Sequence, residues 1–284
     1  MKSITYNYDY SKQKEFKFSL FSDLHGDAKH CQKDKLVNNL QWAYDNTDGI
    51  FIGGDSYSCL MPKDHKRFTL AHAIATVDNY GDYIINYVYG DILKAFAKKI
   101  KYIGMGNHES TFLNHSGVNP VDRLCEKIKQ DGGNVVMGDY QNLIRLEFSH
   151  GDNGSSRHYD IWASHGMGAG AKRSRGALEW DLVYSRYDAR LYWMGHNHMG
   201  QVDNTGSYTR MNQAGQIITI SKKGIRTPAW EEDVSIRDLN ASYDIKYGEE
   251  RQGLPPAPAA FGVVELSFSG HEKAIKDTVY LKDI

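Results

Sequence analysis

The sequence predicts an α/β fold built on a parallel sheet, and three observations predict it. Short apolar runs alternate with helix-period segments through the first half of the 284-residue chain. Each of the first three apolar runs leads straight into a polar turn, Ser22–Asp27 (SDLHGD), Gly53–Asp55 (GGD) and Gly106–Glu109 (GNHE). Polar residues just beyond the carboxyl ends of strands are where open α/β sheets place their sites.

The elements follow in order. Phe16–Phe21 (FKFSLF) reads as a buried strand, followed by a helix from about His30 to Tyr44 with Leu36, Val37 and Leu40 on one face. Gly49–Gly53 is a second strand. A helical pattern runs from about His65 to Lys99, broken near Tyr80-Gly81-Asp82, and Lys101–Met105 is a third strand. Asn119-Pro120 opens a helix to about Gln130, with proline in its first turn. The later half is strand-rich. Val135–Met137, Asn142–Phe148 and His158–Ala163 are candidates, with a hairpin turn at His150–Gly154 between the last two. Gly176–Arg186 reads as a helix and Arg190–Met194 as a strand. Tyr208–Met211 and Gln216–Ser221 form a hairpin, and Phe261–Phe268 with Ala274–Leu281 closes the chain as a strand pair. Met1–Glu15 is polar and tyrosine-rich, with no strand assigned. Lys222–Ala260 is polar and irregular and is expected to be a surface excursion from a single domain spanning 1–284.

Composition narrows the class. With 40% apolar and 24% charged residues the chain can bury a substantial core as a globular protein. A net charge of −1 provides no global positive field for nucleic acid, although local cations could supply one. Cys31, Cys59 and Cys125 are widely spaced and odd in number, which reads as reduced thiols in a cytoplasmic protein. No apolar leader opens the sequence and no run approaches the roughly 18 residues that span a bilayer, so no membrane partner is expected.

The chemistry lies in the turns. A two-metal hydrolase needs cations about 3.5–4 Å apart, a carboxylate bridging them, and imidazole, carboxylate or amide donors on short turns. Asp23 and His25, Asp55, Asn107 and His108, His165, and His196 and His198 form such a set, each after an expected strand. Asp-x-His and His-x-His on an extended turn would aim alternate side chains the same way. His150 in Ser149-His150-Gly151 rivals His165, but His165 follows an apolar strand and is preferred. Glu109 reads as a supporting or helix-start carboxylate. His30, His65, His72, His115, His158 and His271 lack ligand spacing. Lys172–Arg175 could touch phosphate. Tyr80, Tyr83, Tyr87 and Tyr89 read as ordinary packing, with a stacking wall as the alternative.

The order D-x-H, G-D, G-N-H-E, a lone H and G-H-x-H, spread over about Phe16–Gly200, resembles the calcineurin-like metallophosphoesterase superfamily. The resemblance implies a two-layered mixed β-sheet sandwich flanked by helices. It implies that Asp23, His25 and His198 bind one metal, that Asn107, His165 and His196 bind the other, and that Asp55 bridges them. It implies attack on phosphorus by a bridging hydroxide, with His108 beside the substrate, stabilising charge or protonating the leaving group. Two divalent cations are expected, Mn²⁺ first, with Fe, Zn or Ni as alternatives. A phosphomonoester, phosphodiester or nucleotide is the expected substrate. A DNA or RNA nuclease on the same core is the alternative, and a non-catalytic scaffold is a remote one because no ligand position is lost. The protein Ser/Thr phosphatase branch continues its G-D with V-D-R-G, whereas this chain has Ser56–Cys59. Many relatives carry Asp or Asn where Ser58 stands, so the support around Asp55 is expected to differ. The loop His165–Gly170 is similar to that of members encoded by phages and prophages. Oligomeric state is not legible.

Overall fold

The computed structural model describes residues 1–59, 79–151, 156–166, 177–231, 258–268 and 275–284. The chain starts with β1 (Lys2–Asp9) and β2 (Glu15–Phe21), then α1 (Lys33–Asn46) and β3 (Gly49–Ile52). α2 (Tyr80–Val88) continues through one π-turn and one 3-10 turn to Phe96 before β4 (Ile100–Ile103). Next come α3 (Asn107–Ser116), α4 (Pro120–Gln130), β5 (Val136–Met137), β6 (Gln141–Ser149) and β7 (Ser156–Ser164). α5 (Ala177–Arg186), β8 (Leu191–Met194), β9 (Gln201–Met211), β10 (Ile217–Arg226), β11 (Phe261–Phe268) and β12 (Ile275–Lys282) complete it.

These strands form two six-stranded mixed sheets, in the orders β12-β11-β2-β3-β4-β5 and β1-β6-β7-β8-β10-β9. The architecture is the α/β sandwich the motifs imply. In the first sheet β2, β3, β4 and β5 are parallel neighbours, as the strand–helix alternation predicts. In the second, β7, β8 and β10 are parallel.

Packing explains the sequence pattern. β2 is buried on both faces, so its side chains divide with period two. Phe16, Phe18 and Leu20 enter the layer between the sheets, where they meet Ile144, Leu146, Phe148, Ile161 and Trp193. Phe21 faces the other way, into a core shared with Leu36 and Leu40 of α1, Val88 of α2 and Leu124 of α4. A smaller core joins Trp162, Tyr192 and Met194 of the second sheet to Trp180 and Val183 of α5. Helices therefore cover both outer faces. α4 starts where its sequence predicts, with the Asn119 side chain accepting the Val121 and Asp122 amides at 3.1 and 3.2 Å.

Two expectations need correction. The N-terminal segment contains a strand: β1 pairs with β6 in parallel register. Its inward residues are Ile4, Tyr6 and Tyr8, and the tyrosine rings sit edge-on against Phe51 and Phe18. Low hydropathy hides a strand whose apolar face is made of phenol rings. The expected excursion also starts later than Lys222. Lys222–Arg226 completes β10 against β8, and Ile225, Arg226, Thr227 and Trp230 are buried. Residues 232–257 of that stretch lie outside the described residues, as do 65–78, Lys172–Arg175 and Met167–Gly170. α2 begins at the expected break, Tyr80. Tyr83 and Tyr87 stack on each other with centroids 6.3 Å apart, and both pack against the helical core with Tyr80 and Tyr89. Among the described residues no helix is long and apolar enough to cross a membrane.

Candidate metal centre

The parallel strands of both sheets end at the same edge of the sandwich. Asp23 and His25 follow β2, Asp55 follows β3, and Asn107 and His108 open α3 after β4. From the facing sheet, His165 follows β7, and His196 and His198 follow β8. All eight residues meet. Donor atoms of Asp23, His25 and His198 lie within 4.8 Å of one another, as do those of Asp55, His165 and His196, and those of His25, Asp55 and His108. Asn107 joins them, its Oδ1 lying 3.0 Å from His165 Nε2.

The backbone that presents these side chains is unusual. The expectation of an extended turn with period-two side chains is not what is found. Asp23, His25, Asp55, His196 and His198 adopt φ of 52°, 46°, 48°, 69° and 57°, in the left-handed region. Only one other non-glycine residue among those described does so, Cys59 at 48°. Such conformations cost of order 1–3 kcal/mol each and persist only where surrounding structure over-determines them. Two close approaches tighten the turns further. A Cβ on Gly106 would collide with the Asp55 carboxylate and amide, and one on Gly195 would collide with Asp23 and Ser22.

The imidazoles share one orientation. His108 Nδ1 donates to the Ser58 carbonyl at 2.7 Å, and His165 Nδ1 to the Gly53 carbonyl at 3.3 Å. His25 Nδ1 lies 3.0 Å from Ser58 Oγ, and His198 Nδ1 lies 3.7 Å from Glu231 Oε2. In each ring Nε2 points inward. His25 and His198 bring their Nε2 atoms within 3.4 Å of each other, and His165 Nε2 lies 2.9 Å from Asp55 Oδ2. Outer hydrogen bonds of this kind fix tautomer and ring orientation at metal sites.

The carboxylates are anchored just as firmly. Both oxygens of Asp23 accept the His196 amide at 3.0 Å. Oδ2 also accepts the Ser22 hydroxyl, while Oδ1 faces His198 Nε2 at 3.6 Å. Ser22 Oγ lies 2.6 Å from Thr227 Oγ1, which accepts Trp193 Nε1–H at 3.1 Å. Glu109, fully buried, accepts the amides of Gly106 (2.9 Å), Tyr57 (3.1 Å) and Asp55 (3.2 Å), so it ties the second turn to the third. Its role is support, as its sequence position implies.

Charge in the pocket is strongly coupled. Burial favours neutral Asp55, but His165 and His108 outweigh it and hold the carboxyl well below its ordinary range. Burial would lower His165, and the Asp55 charge outweighs that and raises it to about 9. Burial pushes Asp23 up to about 6 and Glu109 to about 8. Burial lowers His25 to about 3, and His196 and His198 to about 4, keeping these rings neutral and available as donors. Two carboxylates, four imidazoles and one amide, within reach of each other in a buried pocket, fit a pair of divalent cations with mixed N/O ligation.

Sequence reading missed several supporting groups. Ser22 and Thr227 meet across 205 residues. Asp27 accepts the Ser58 and Cys59 amides. Glu231 flanks His198, and the Tyr140 ring lies 5.5 Å from that of His165. Of these only Ser22 and Asp27 had a local signal, their places in SDLHGD. The rival His150 is exposed and packs on Tyr10 with ring centroids 5.0 Å apart. His115 and His158 are exposed, as expected, and His30 is half-buried.

Fold and site together define an α/β sandwich carrying a candidate dinuclear metal centre at the shared strand edge. No family model matches the chain, and no curated protein does. Among solved structures, GAP50, the anchor in the inner membrane complex of Plasmodium, is 11% identical with a TM-score of 0.46, covering 96% of this chain and 89% of that one. A metallophosphoesterase from Sphaerobacter thermophilus is 10% identical at a TM-score of 0.35, covering 88% and 83%. Vacuolar protein sorting 29 from Cryptosporidium parvum is 12% identical at 0.36, covering 95% and 100%. Likenesses this low carry no argument about activity, and the reading of the site rests on this chain's own residues.

Proposed function

We propose that the protein is a metal-dependent phosphoesterase acting on a phosphomonoester, phosphodiester or nucleotide. The observation that carries the reading is the convergence of three overlapping donor groups, two of them sharing Asp55 and two sharing His25, with Asp23, His25, Asp55, His196 and His198 on left-handed backbone that persists only where the surroundings over-determine it. Asp23, His25 and His198 would hold one divalent cation. Asn107, His165 and His196 would hold the other, and Asp55 would serve both. When bound, the pair supplies Lewis-acid polarisation of phosphoryl oxygens and a water acidic enough to ionise near neutral pH.

The chain's own residues do the rest. Asp55, held ionised, orients the His108 amide at 3.0 Å and lies 3.8 Å from its Nε2. Because His108 Nδ1–H is committed to the Ser58 carbonyl, Nε2 is the atom that delivers a proton to the departing alkoxide. Neutral His25, His196 and His198 keep lone pairs directed inward. The same reading carries a cytoplasmic location and Mn²⁺ as the first cation to try.

The test is turnover by the metal-free protein given Mn²⁺, on bis-p-nitrophenyl phosphate, p-nitrophenyl phosphate, single-stranded DNA and duplex DNA. Metal-dependent hydrolysis that disappears in Asp55→Asn supports the reading, and the preferred substrate separates an esterase from a nuclease. A protein that binds no divalent cation would overturn it.

A further inference from the structure

We infer that Asp27 is a positioning residue that sets the working tautomer of His108 through the Ser58 segment. The inference deepens the phosphoesterase reading of this site and rests on it. Asp27 is fully buried behind the turn that carries His25. Its Oδ1 accepts the Ser58 amide and its Oδ2 accepts the Cys59 amide at 2.9 Å, so one carboxylate grips two consecutive peptide groups. Cys59, the second of them, has the left-handed φ of 48°. A carboxylate accepting two amides is a strong clamp for such a turn.

The clamped residue faces the site twice. Its carbonyl accepts His108 Nδ1–H at 2.7 Å, and its Oγ lies 3.0 Å from His25 Nδ1. A carbonyl oxygen only accepts, so this contact places the His108 proton on Nδ1 and leaves Nε2 facing Asp55. The Ser58 side chain lies at His25, so it is the Ser58 backbone that meets the His108 ring. Here the orienting charge is one peptide removed, and it acts through backbone. Asp27 touches neither substrate nor reacting atoms. It fixes where the Ser58 carbonyl lies, and the carbonyl fixes which ring nitrogen is available. The loop from Ser56 to Cys59 is also tied down by Glu109, which accepts the Tyr57 amide at 3.1 Å, and by the Gly26 amide, which donates to the Ser56 carbonyl at 3.0 Å.

The replacement Asp27→Asn keeps the volume but turns one acceptor into an NH₂ group facing an N–H, so one of the two amide bonds is lost. In the full-length, metal-free chain with ¹⁵N-labelled histidine, long-range ¹H–¹⁵N correlation reports the tautomer of His108 directly. Wild-type protein is expected to show His108 protonated at Nδ1. Asp27→Asn is expected to populate the form protonated at Nε2 alone as well. With Mn²⁺ at saturation it should lose about tenfold or more in kcat, with KM within about twofold of wild type. Ser58→Ala keeps the carbonyl, so it should retain the wild-type His108 tautomer while weakening cation binding through His25. A folded Asp27→Asn protein with the wild-type tautomer and wild-type kcat overturns the inference. If that variant does not fold, the wild-type chain decides. His108 protonated at Nε2 alone, with Nδ1 bare, or fast hydrogen exchange at the Ser58 and Cys59 amides, overturns it equally. These NMR readouts need no turnover. Failure on every ester would therefore count against the phosphoesterase reading alone.

Discussion

His165 Nε2 sits 2.9 Å from Asp55 Oδ2, and neither side chain reaches solvent. An imidazolium raised to about 9 beside a carboxylate held well below its ordinary range is a buried ion pair in the metal-free protein. Its pH signature follows from linkage. The folded chain holds the His165 proton above the unfolded value near 6.5, so the stability it contributes is complete below that pH and is lost as pH rises through about 9. Glu109, pushed by burial to about 8, works in the same direction between 4.5 and 8. Denaturant unfolding of metal-free protein should show stability falling from pH 6.5 to 9, with a slope of up to about 1.4 kcal/mol per pH unit for each group. His165→Gln should flatten that slope. A flat wild-type profile would refute the ion pair.

His108 is expected to act on chemistry and not on metal loading. His108→Gln should bind two cations per chain by elemental analysis, yet lose about 100-fold or more in kcat. The loss should be larger for an alkyl ester than for a p-nitrophenyl ester, because p-nitrophenolate departs without a proton. Equal losses on both leaving groups would remove His108 as the acid.

The hydroxyl chain behind Asp23 makes a separate prediction. Ser22 gives its one hydroxyl proton to Asp23 Oδ2, so in the Ser22–Thr227 pair Thr227 donates, while its oxygen accepts Trp193 N–H. Thr227→Val preserves shape and breaks the chain. Affinity for one of two cations should fall about 10- to 100-fold, read by calorimetric titration, with the second affinity little changed. Equal weakening of both would show that the chain does not act through Asp23.

Gly106 tests the close packing of the turns. Its Cβ would enter the space of the Asp55 carboxylate. Gly106→Ala should destabilise the fold by about 1–3 kcal/mol in denaturant titrations and lower cation affinity as well. Wild-type stability in this variant would mean that the turn has room to give.

Much of the fold is legible because its strands are short, apolar and followed by sharp polar turns. Phe16–Phe21 and Ile50–Ile52 announce themselves as short apolar runs, and Asn119-Pro120 announces α4. β1 is not legible, because Tyr6 and Tyr8 read as polar until Phe51 and Phe18 are seen beneath them. The meeting of Asp23, Asp55, Asn107, His165 and His196 in one pocket is legible because each follows a strand of a parallel set. Their service as ligands is the proposal made above. The supports around them are not legible. Thr227 reaches Ser22 from the far end of β10, and Glu231 reaches His198 through a segment that reads as irregular. No local period encodes such long-range pairs. The left-handed turn at Asp23 and His25 is likewise held by contacts from distant segments, among them the Trp230 amide donating to the Asp23 carbonyl at 3.1 Å.

The site draws donors from both sheets, and His196 and Asp23 lie 173 residues apart. In kinetic terms this makes the pocket one of the last features to form. Until the sheets dock, a cation would find no more than a fragment of the proposed ligands. Cations should therefore leave the refolding limb of a stopped-flow chevron almost unmoved and slow the unfolding limb. The centre would act as a latch on the finished sandwich, closing after the chain has found its fold and lengthening the time it stays there.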